Sequence, residues 1–194
     1  SLAVNAKSGA YTFTPNAAAI NALSASTTES YAVTVSDGTS TTTSNLVINL
    51  TGANDAPALA TPPALSYTDT AANDTFTNAS GTLQGSDVDT PGAALTYGIS
   101  GVTPSSGGIA TKVGTYGTLT VTVSTGAYTF TPNASAINAL SSEASESYTV
   151  TVVDDGNLSA TASLVVGITA VNDAPVNSVP GAQTVAEDTT LALS

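Results

Sequence analysis

Apolar and polar residues alternate with period two through Tyr116–Val123, Ala127–Thr131, Ser147–Val153 and Ala160–Thr169, and Thr, Val, Tyr and Ile dominate these runs. That period sends successive side chains to opposite faces, so each run predicts a half-buried β-strand. Weaker runs at 64–69, 80–86 and 94–100, with the four above read as 116–123, 127–131, 146–153 and 159–169, bring the number of predicted strands to seven. Turn signals separate them: Pro91-Gly92, Ser106-Gly107-Gly108, Ser124-Thr125-Gly126 and Asp154-Asp155-Gly156-Asn157. The only helical pattern is Asn133–Leu140, repeated as Asn16–Leu23, where an Asn cap and the Ile137/Leu140 spacing predict one or two turns closing an end of the fold. Short strands at this spacing predict an all-β Greek-key sandwich, immunoglobulin-like in the broad sense.

The pattern occurs twice. Tyr11, Phe13, Ile20 and Tyr31 recur as Tyr128, Phe130, Ile137 and Tyr148 at an offset of 117, and after one inserted residue Asn54-Asp55-Ala56-Pro57 recurs as Asn172-Asp173-Ala174-Pro175. A repeat of that length is a whole domain, so the chain reads as a slice of a tandem array. Residues 1–57 are expected to be the back part of one unit, 58–175 a complete unit, and 176–194 the opening strand segment of a third. Arrays of this kind span distance, which points to an extracellular structural or adhesive role.

Charge narrows the choice of partners. Lys7 and Lys112 stand against 14 carboxylates, a net charge of −12, so nucleic acid and anionic membrane surfaces would be repelled and divalent cations attracted. Cys and His are absent, which excludes disulfides, ordinary zinc sites and Cys/His nucleophiles. A small secreted domain without disulfides needs another staple, and oxygen ligands alone suit calcium. No run of residues is apolar enough to insert in a membrane.

In a seven-strand sandwich successive strands run up and down. Loops 87–92, 124–126 and 154–157 then share an entry pole with the incoming linker 54–57, while loops 70–79, 101–115 and 132–145 share an exit pole with the outgoing linker 172–175. The entry pole gathers Asn54, Asp55, Asp87, Asp89 and Asp154 or Asp155, with Glu29 contributed by the preceding unit. The exit pole gathers Asp69, Glu143, Glu146, Asn172 and Asp173, with Asp74 in reach. Several carboxylates brought together without a counter-ion repel one another, and this chain has almost no Lys or Arg to offset them. A bound Ca2+ at each linker is the expected relief. A lone Asp-x-Asp or Asp-Gly is ordinary turn chemistry; co-location at both linkers is what favours the ion.

Gly117-Thr118-Leu119-Thr120-Val121, Tyr128-Thr129-Phe130-Thr131-Pro132-Asn133, the run 147–155, Asp87-Val88-Asp89-Thr90-Pro91-Gly92 and the closing Asn172-Asp173-Ala174-Pro175 resemble the VCBS repeats of giant bacterial surface proteins. These repeats are similar to cadherin domains, whose linkers carry Asx-Asp-x-Pro and whose next domain carries Asp-x-Asp. The run 179–189 looks like the opening of a related cadherin-like repeat. Such repeats often have Glu-Asp where this chain reads Asp69-Thr70, whereas Glu187-Asp188 keeps it. The resemblance implies secretion by a Gram-negative type I route, tandem copies in a long RTX-type adhesin or matrix protein at the bacterial cell surface, and calcium-stiffened linkers.

The expected function is therefore a non-catalytic, calcium-stiffened spacer whose partners are neighbouring repeats of the same protein. The alternative is a module binding cell-surface glycans or other copies of itself, forming fibres by strand exchange. Tyr128 and Phe130 alternate with Thr in a strand, a core pattern more than a sugar platform. Paired carboxylates at turns and linkers, away from any cleft, make a glycosidase a poor reading.

Overall fold

The computed structural model describes residues 1–89, 94–175, 177–178, 181–182, 184–188 and 190. The Pro91-Gly92 turn and nine of the 19 residues of the opening strand segment expected at 176–194 lie outside the described residues.

The fold is all-β. Ala58–Leu59 (β5), Leu65–Thr68 (β6), Ala79–Thr82 (β7), Gly85–Ser86 (β8), Thr96–Ile99 (β9), Ile109–Val113 (β10), Gly117–Thr122 (β11), Ala127–Pro132 (β12), Ala144–Val153 (β13) and Ser159–Thr169 (β14) build one sandwich. One sheet has the order β10-β11-β12-β7 and the other β6-β14-β13-β9. All pairs are antiparallel except β6 with β14, which run parallel through Leu65↔Val166 to Thr68↔Thr169. Between the sheets lie Leu119, Val121, Phe130, Ile137, Val150, Leu164 and Val166, none of them exposed to solvent. All but Ile137, which the short helix carries, are inward positions of the period-two pattern.

Two details depart from the seven predicted strands. The predicted strand 80–86 is split into β7, which pairs with β12, and β8, which pairs with β5 in a small separate ladder; β6 keeps the predicted place at 64–69 and joins β14 across the sandwich, β5 being an added strand ahead of it. Pro62 and Pro63 lie between β5 and β6, and without backbone N–H groups they cannot continue a ladder, so the chain changes sheets there. The second departure is β10, which occupies part of the expected loop 101–115 and pairs with β11 from Ile109↔Thr122 to Val113↔Thr118. It is an edge strand whose outer half, Thr111-Lys112-Val113, is exposed, so its sequence carries little alternation. Lys112 in an edge strand also discourages pairing with another chain.

The short helix Ala134–Ile137 (α2) is capped by Asn133, whose side chain accepts a hydrogen bond from the Ala136 N–H at 3.3 Å, and it buries Ile137. Phe130 sits edge-on to Tyr148, with centroids 5.9 Å apart, and against Tyr67 at 5.8 Å. Gly117 faces this ring: a Cβ there would collide with Phe130 and with the Thr131 carbonyl.

The leading residues repeat the back half of this unit. Leu2–Val4 (β1) pairs with Tyr11–Phe13 (β2), and Thr27–Ser36 (β3) pairs with Thr41–Leu50 (β4). Ala17–Asn21 (α1) is capped by Asn16 as α2 is capped by Asn133. Phe13 and Tyr31 meet edge-on at 6.1 Å, as Phe130 and Tyr148 do.

Candidate functional site at the two linkers

At the entry pole the linker touches two loops of the complete unit. The Asn54 side-chain amide donates to Asp154 Oδ2 at 2.8 Å, while Asp154 Oδ1 accepts from the Leu158 N–H at 2.8 Å. Gly156 packs so closely on Asn54 that a Cβ there would overlap its amide. On the other side, the Asp55 N–H donates to Asp89 Oδ2 at 3.0 Å, and the Asp89 N–H donates to Asp87 Oδ1 at 3.0 Å. The Asp-x-Asp turn thus closes on itself and presents one oxygen to the linker. The neighbouring Asp87 side chain raises the Asp89 pKa above its ordinary value; the Asp55 N–H opposes that shift, and burial and the Asp87 charge add to it. Asp89 Oδ1 is buried and has no hydrogen-bond partner.

The exit pole holds the more demanding group. Asp69 is fully buried, and neither carboxylate oxygen has a hydrogen-bond partner. Burial, then the charges of Asp173 and Asp74, raise its pKa. Its position follows from β6: the Asp69 N–H donates to the Thr169 carbonyl at 2.9 Å, continuing the parallel ladder one residue further. Asp173 from the outgoing linker also has a buried oxygen, Oδ1, without a partner. Asn172 donates to the Asp173 carbonyl at 2.9 Å, repeating the Asn54–Asp55 contact at 3.3 Å. Asp74 is held beside them by the Thr70 N–H, which donates to its Oδ2 at 2.5 Å, and by its own N–H, which donates to the side-chain Oδ1 of Asn138 at 2.9 Å.

The two glutamates have other work. Glu146 accepts from the N–H groups of Thr115 and Tyr116, at 2.8 and 3.1 Å, and from the Tyr148 hydroxyl at 3.0 Å. It clamps the turn joining β10 to β11. The Tyr148 hydroxyl pKa is raised, first by burial and then by Glu146. Glu29 accepts from the Tyr31 hydroxyl at 2.5 Å, the same pairing in the leading unit. Glu143 is exposed. Asn138 was not legible as a site residue, yet its amide donates to Asn73 Oδ1 and to the Asp74 carbonyl, both at 2.9 Å, and so fixes the loop carrying Asp74.

Among the described residues, no three Asp, Glu, His or Cys side chains are placed to hold a metal ion by themselves. The donor chemistry nevertheless fits calcium in kind: buried carboxylate oxygens without hydrogen-bond donors, flanked by Asn and backbone carbonyls, in a chain with 14 carboxylates and two lysines. An ionised carboxylate buried without a partner is costly, and a cation removes that cost.

A two-layer sandwich with polar linker sites at its ends is the architecture of a cadherin-like repeat. Residues 54–170 match the family described as the bacterial cadherin-like domain, and the chain belongs to that family. No curated protein matches the sequence. Among solved structures, cadherin domains 3–6 of protocadherin gamma B2 align over 86% of this chain and 38% of theirs, at 20% identity and a TM-score of 0.42. Mouse cadherin-23 domains EC22–24 align over 73% of this chain and 43% of theirs, at 18% identity and a TM-score of 0.36. Mouse protocadherin-24 domains EC1–3 align over 71% and 42%, at 16% identity and a TM-score of 0.33. This chain spans less than half the length of each. Among the described residues, no helix is long and apolar enough to cross a membrane.

Proposed function

We propose that this chain is a non-catalytic spacer of a long bacterial surface adhesin or matrix filament, built from tandem units and stiffened by calcium at the linkers. The observation that carries this reading is Asp69: a fully buried carboxylate, both oxygens without a partner, beside the partnerless buried oxygen of Asp173 in the linker itself. In this reading the units divide near residues 57 and 175, and each linker belongs to the unit on either side.

Asp69, Asp74 and Asp173, with Asn172, form the exit-pole donor set; Asp55, Asp87, Asp89 and Asp154, with Asn54, form the entry-pole set. A bound calcium supplies positive charge and six to eight oxygen-ligand positions. The residues do the mechanical part. Asp55 and Asn54 hold the linker to two separate loops, so fixing their carboxylate partners restricts the hinge. Glu146 also clamps the 114–117 turn and the Tyr148 hydroxyl, and Glu29 gives one oxygen to the Tyr31 hydroxyl, so both carry a part within their own sandwiches. The neighbouring repeats are the primary partners, and secretion to the cell surface follows from the adhesin reading. A glycan platform is poorly supported, because Tyr128 and Tyr148 are buried and Tyr67, Tyr97 and Tyr116 pack against the core.

Thermal unfolding tests the proposal. With about 10 mM calcium and a Kd near 10⁻⁴ M, typical of extracellular modules, mass action adds roughly 2.7 kcal/mol. For a domain of this size that raises Tm by roughly 10 °C. Magnesium, which keeps its waters and demands stricter geometry, is expected to give a much smaller rise. Equal curves with calcium and with chelator would remove the ion from the mechanism.

A further inference from the structure

The chain crosses from one unit to the next within a few residues, and the two sides hold it unequally. Gly52, just past the end of β4, is pressed on the leading unit: a Cβ there would collide with the carbonyls of Leu23 and Ala25. Asn54 is seated in the complete unit, with its side-chain amide on Asp154 Oδ2 at 2.8 Å and against Gly156. From there the chain stays fastened to that unit through the Asp55 N–H on Asp89, the buried Pro57 and the pairing of β5 with β8. Ala53 lies between the two holds and is exposed.

Asp154 explains why the second hold needs no ion. It is buried, and both its oxygens are taken by N–H donors, Oδ1 by Leu158 and Oδ2 by Asn54. Hydrogen bonds from N–H groups to an ionised carboxylate are among the stronger kind, and losing the Asn54 donor would leave a buried charged oxygen short of a partner. Asp89 differs, since its buried Oδ1 has no hydrogen-bond partner and gains from a cation. The turn that carries Asp154 is closed by the Asp154 N–H on the Leu158 carbonyl at 3.1 Å, with Asn157 at a φ of 66°, and it brings Gly156 onto Asn54. Gly156 does not itself adopt a left-handed φ, so its missing side chain serves the contact with Asn54 and not the turn.

We propose that Asn54, Asp154 and Gly156 form an ion-independent catch that keeps the entry linker on the unit following it, and that without calcium the junction pivots at Ala53. The catch deepens the spacer reading, on which it rests for its purpose, but its hydrogen bonds do not depend on a cation. Bending is confined to one residue, so the two units swing about a fixed point instead of along the whole linker. With Asp55 held beside Asp89, the entry pole stays assembled for an ion and does not have to be gathered by it.

Distances between spin labels on the full chain test this, and the absence of native cysteine leaves each label where it is placed. One pair joins Ala56→Cys in the linker to Ser145→Cys near the start of β13; the other joins Ala56→Cys to Thr43→Cys in β4 of the leading unit, all three positions being exposed. In chelator the first pair is expected to give one narrow distance and the second a broad spread. Gly156→Ala, whose methyl displaces the Asn54 amide, and Asn54→Ala, which removes it, should each abolish the narrow distance of the first pair. Gly156 is exposed at a turn, so the sandwich is expected to stay folded in that variant. The proposal is overturned by a broad first distance with Asn54 and Gly156 in place, by a first distance that stays narrow in both variants, or by a narrow second distance in chelator. Calcium should narrow the second distance; if it does not, the ion-stiffening reading fails while the catch stands.

Discussion

Phe130→Ala is expected to destabilise the complete unit by about 3–5 kcal/mol and lower its Tm by roughly 10–20 °C. Phe130 has no exposed surface, touches the rings of Tyr67 and Tyr148, and rests on Gly117, so its removal leaves a cavity walled by rigid groups. Phe13 occupies the same place in the repeat and makes the same edge-on contact with Tyr31, but it is only partly buried. Phe13→Ala is therefore expected to leave the main thermal transition within a few degrees of wild type. Differential scanning calorimetry of both variants measures this, and comparable losses from the two changes would contradict the burial difference.

Asp69→Asn is expected to have the opposite sign without calcium. Asparagine keeps the shape and removes the buried charge that Asp173 and Asp74 oppose. In calcium-free buffer at pH 7 the variant should melt several degrees above wild type, and it should lose the exit-pole share of the calcium-induced rise. The pH dependence follows from the sign of the shift. The folded-state pKa of Asp69 lies above its unfolded value of about 3.9, so the folded protein holds this proton more tightly. The associated stability is fully present below the unfolded pKa and is lost as pH rises through the folded one. Metal-free wild type should therefore weaken from pH 4 toward neutrality more than the variant does, and the two should converge at the acidic end. Asp89 acts with the same sign in both proteins. Asp37, whose pKa is lowered by the Ser40 and Thr39 N–H groups, acts with the opposite sign, and only as pH falls toward its depressed value. A variant that melts lower than wild type without calcium, yet keeps the full calcium response, would assign Asp69 a purely structural role.

Much of the architecture was readable from the chain. Period-two alternation placed the inward residues of β11 to β14, and the Asn cap placed α2, because each is a local consequence of side-chain position along the backbone. The contact of the incoming linker with the loops carrying Asp89 and Asp154 was readable because up-and-down topology assigns those loops to the linker's end. Other features depend on neighbours distant in sequence. β10 is an edge strand with little apolar pattern of its own, and its place is set by pairing with β11. Glu146 reads as a linker carboxylate until the turn 30 residues upstream reaches it, and Asn138 reads as a helix end until Asn73 and Asp74, more than 60 residues away, arrive beside it.

The most direct measurement of the central claim is carboxyl-carbon NMR of the aspartate side chains during a calcium titration of the full chain. The account predicts that Asp69 and Asp173 at the exit pole, and Asp87 and Asp89 at the entry pole, shift together and saturate at millimolar calcium or below, with little response to magnesium. Contradiction would be those four signals staying fixed while exposed carboxylates such as Asp37 and Asp155 drift without saturating, the signature of an acidic surface that attracts calcium without binding it at the linkers.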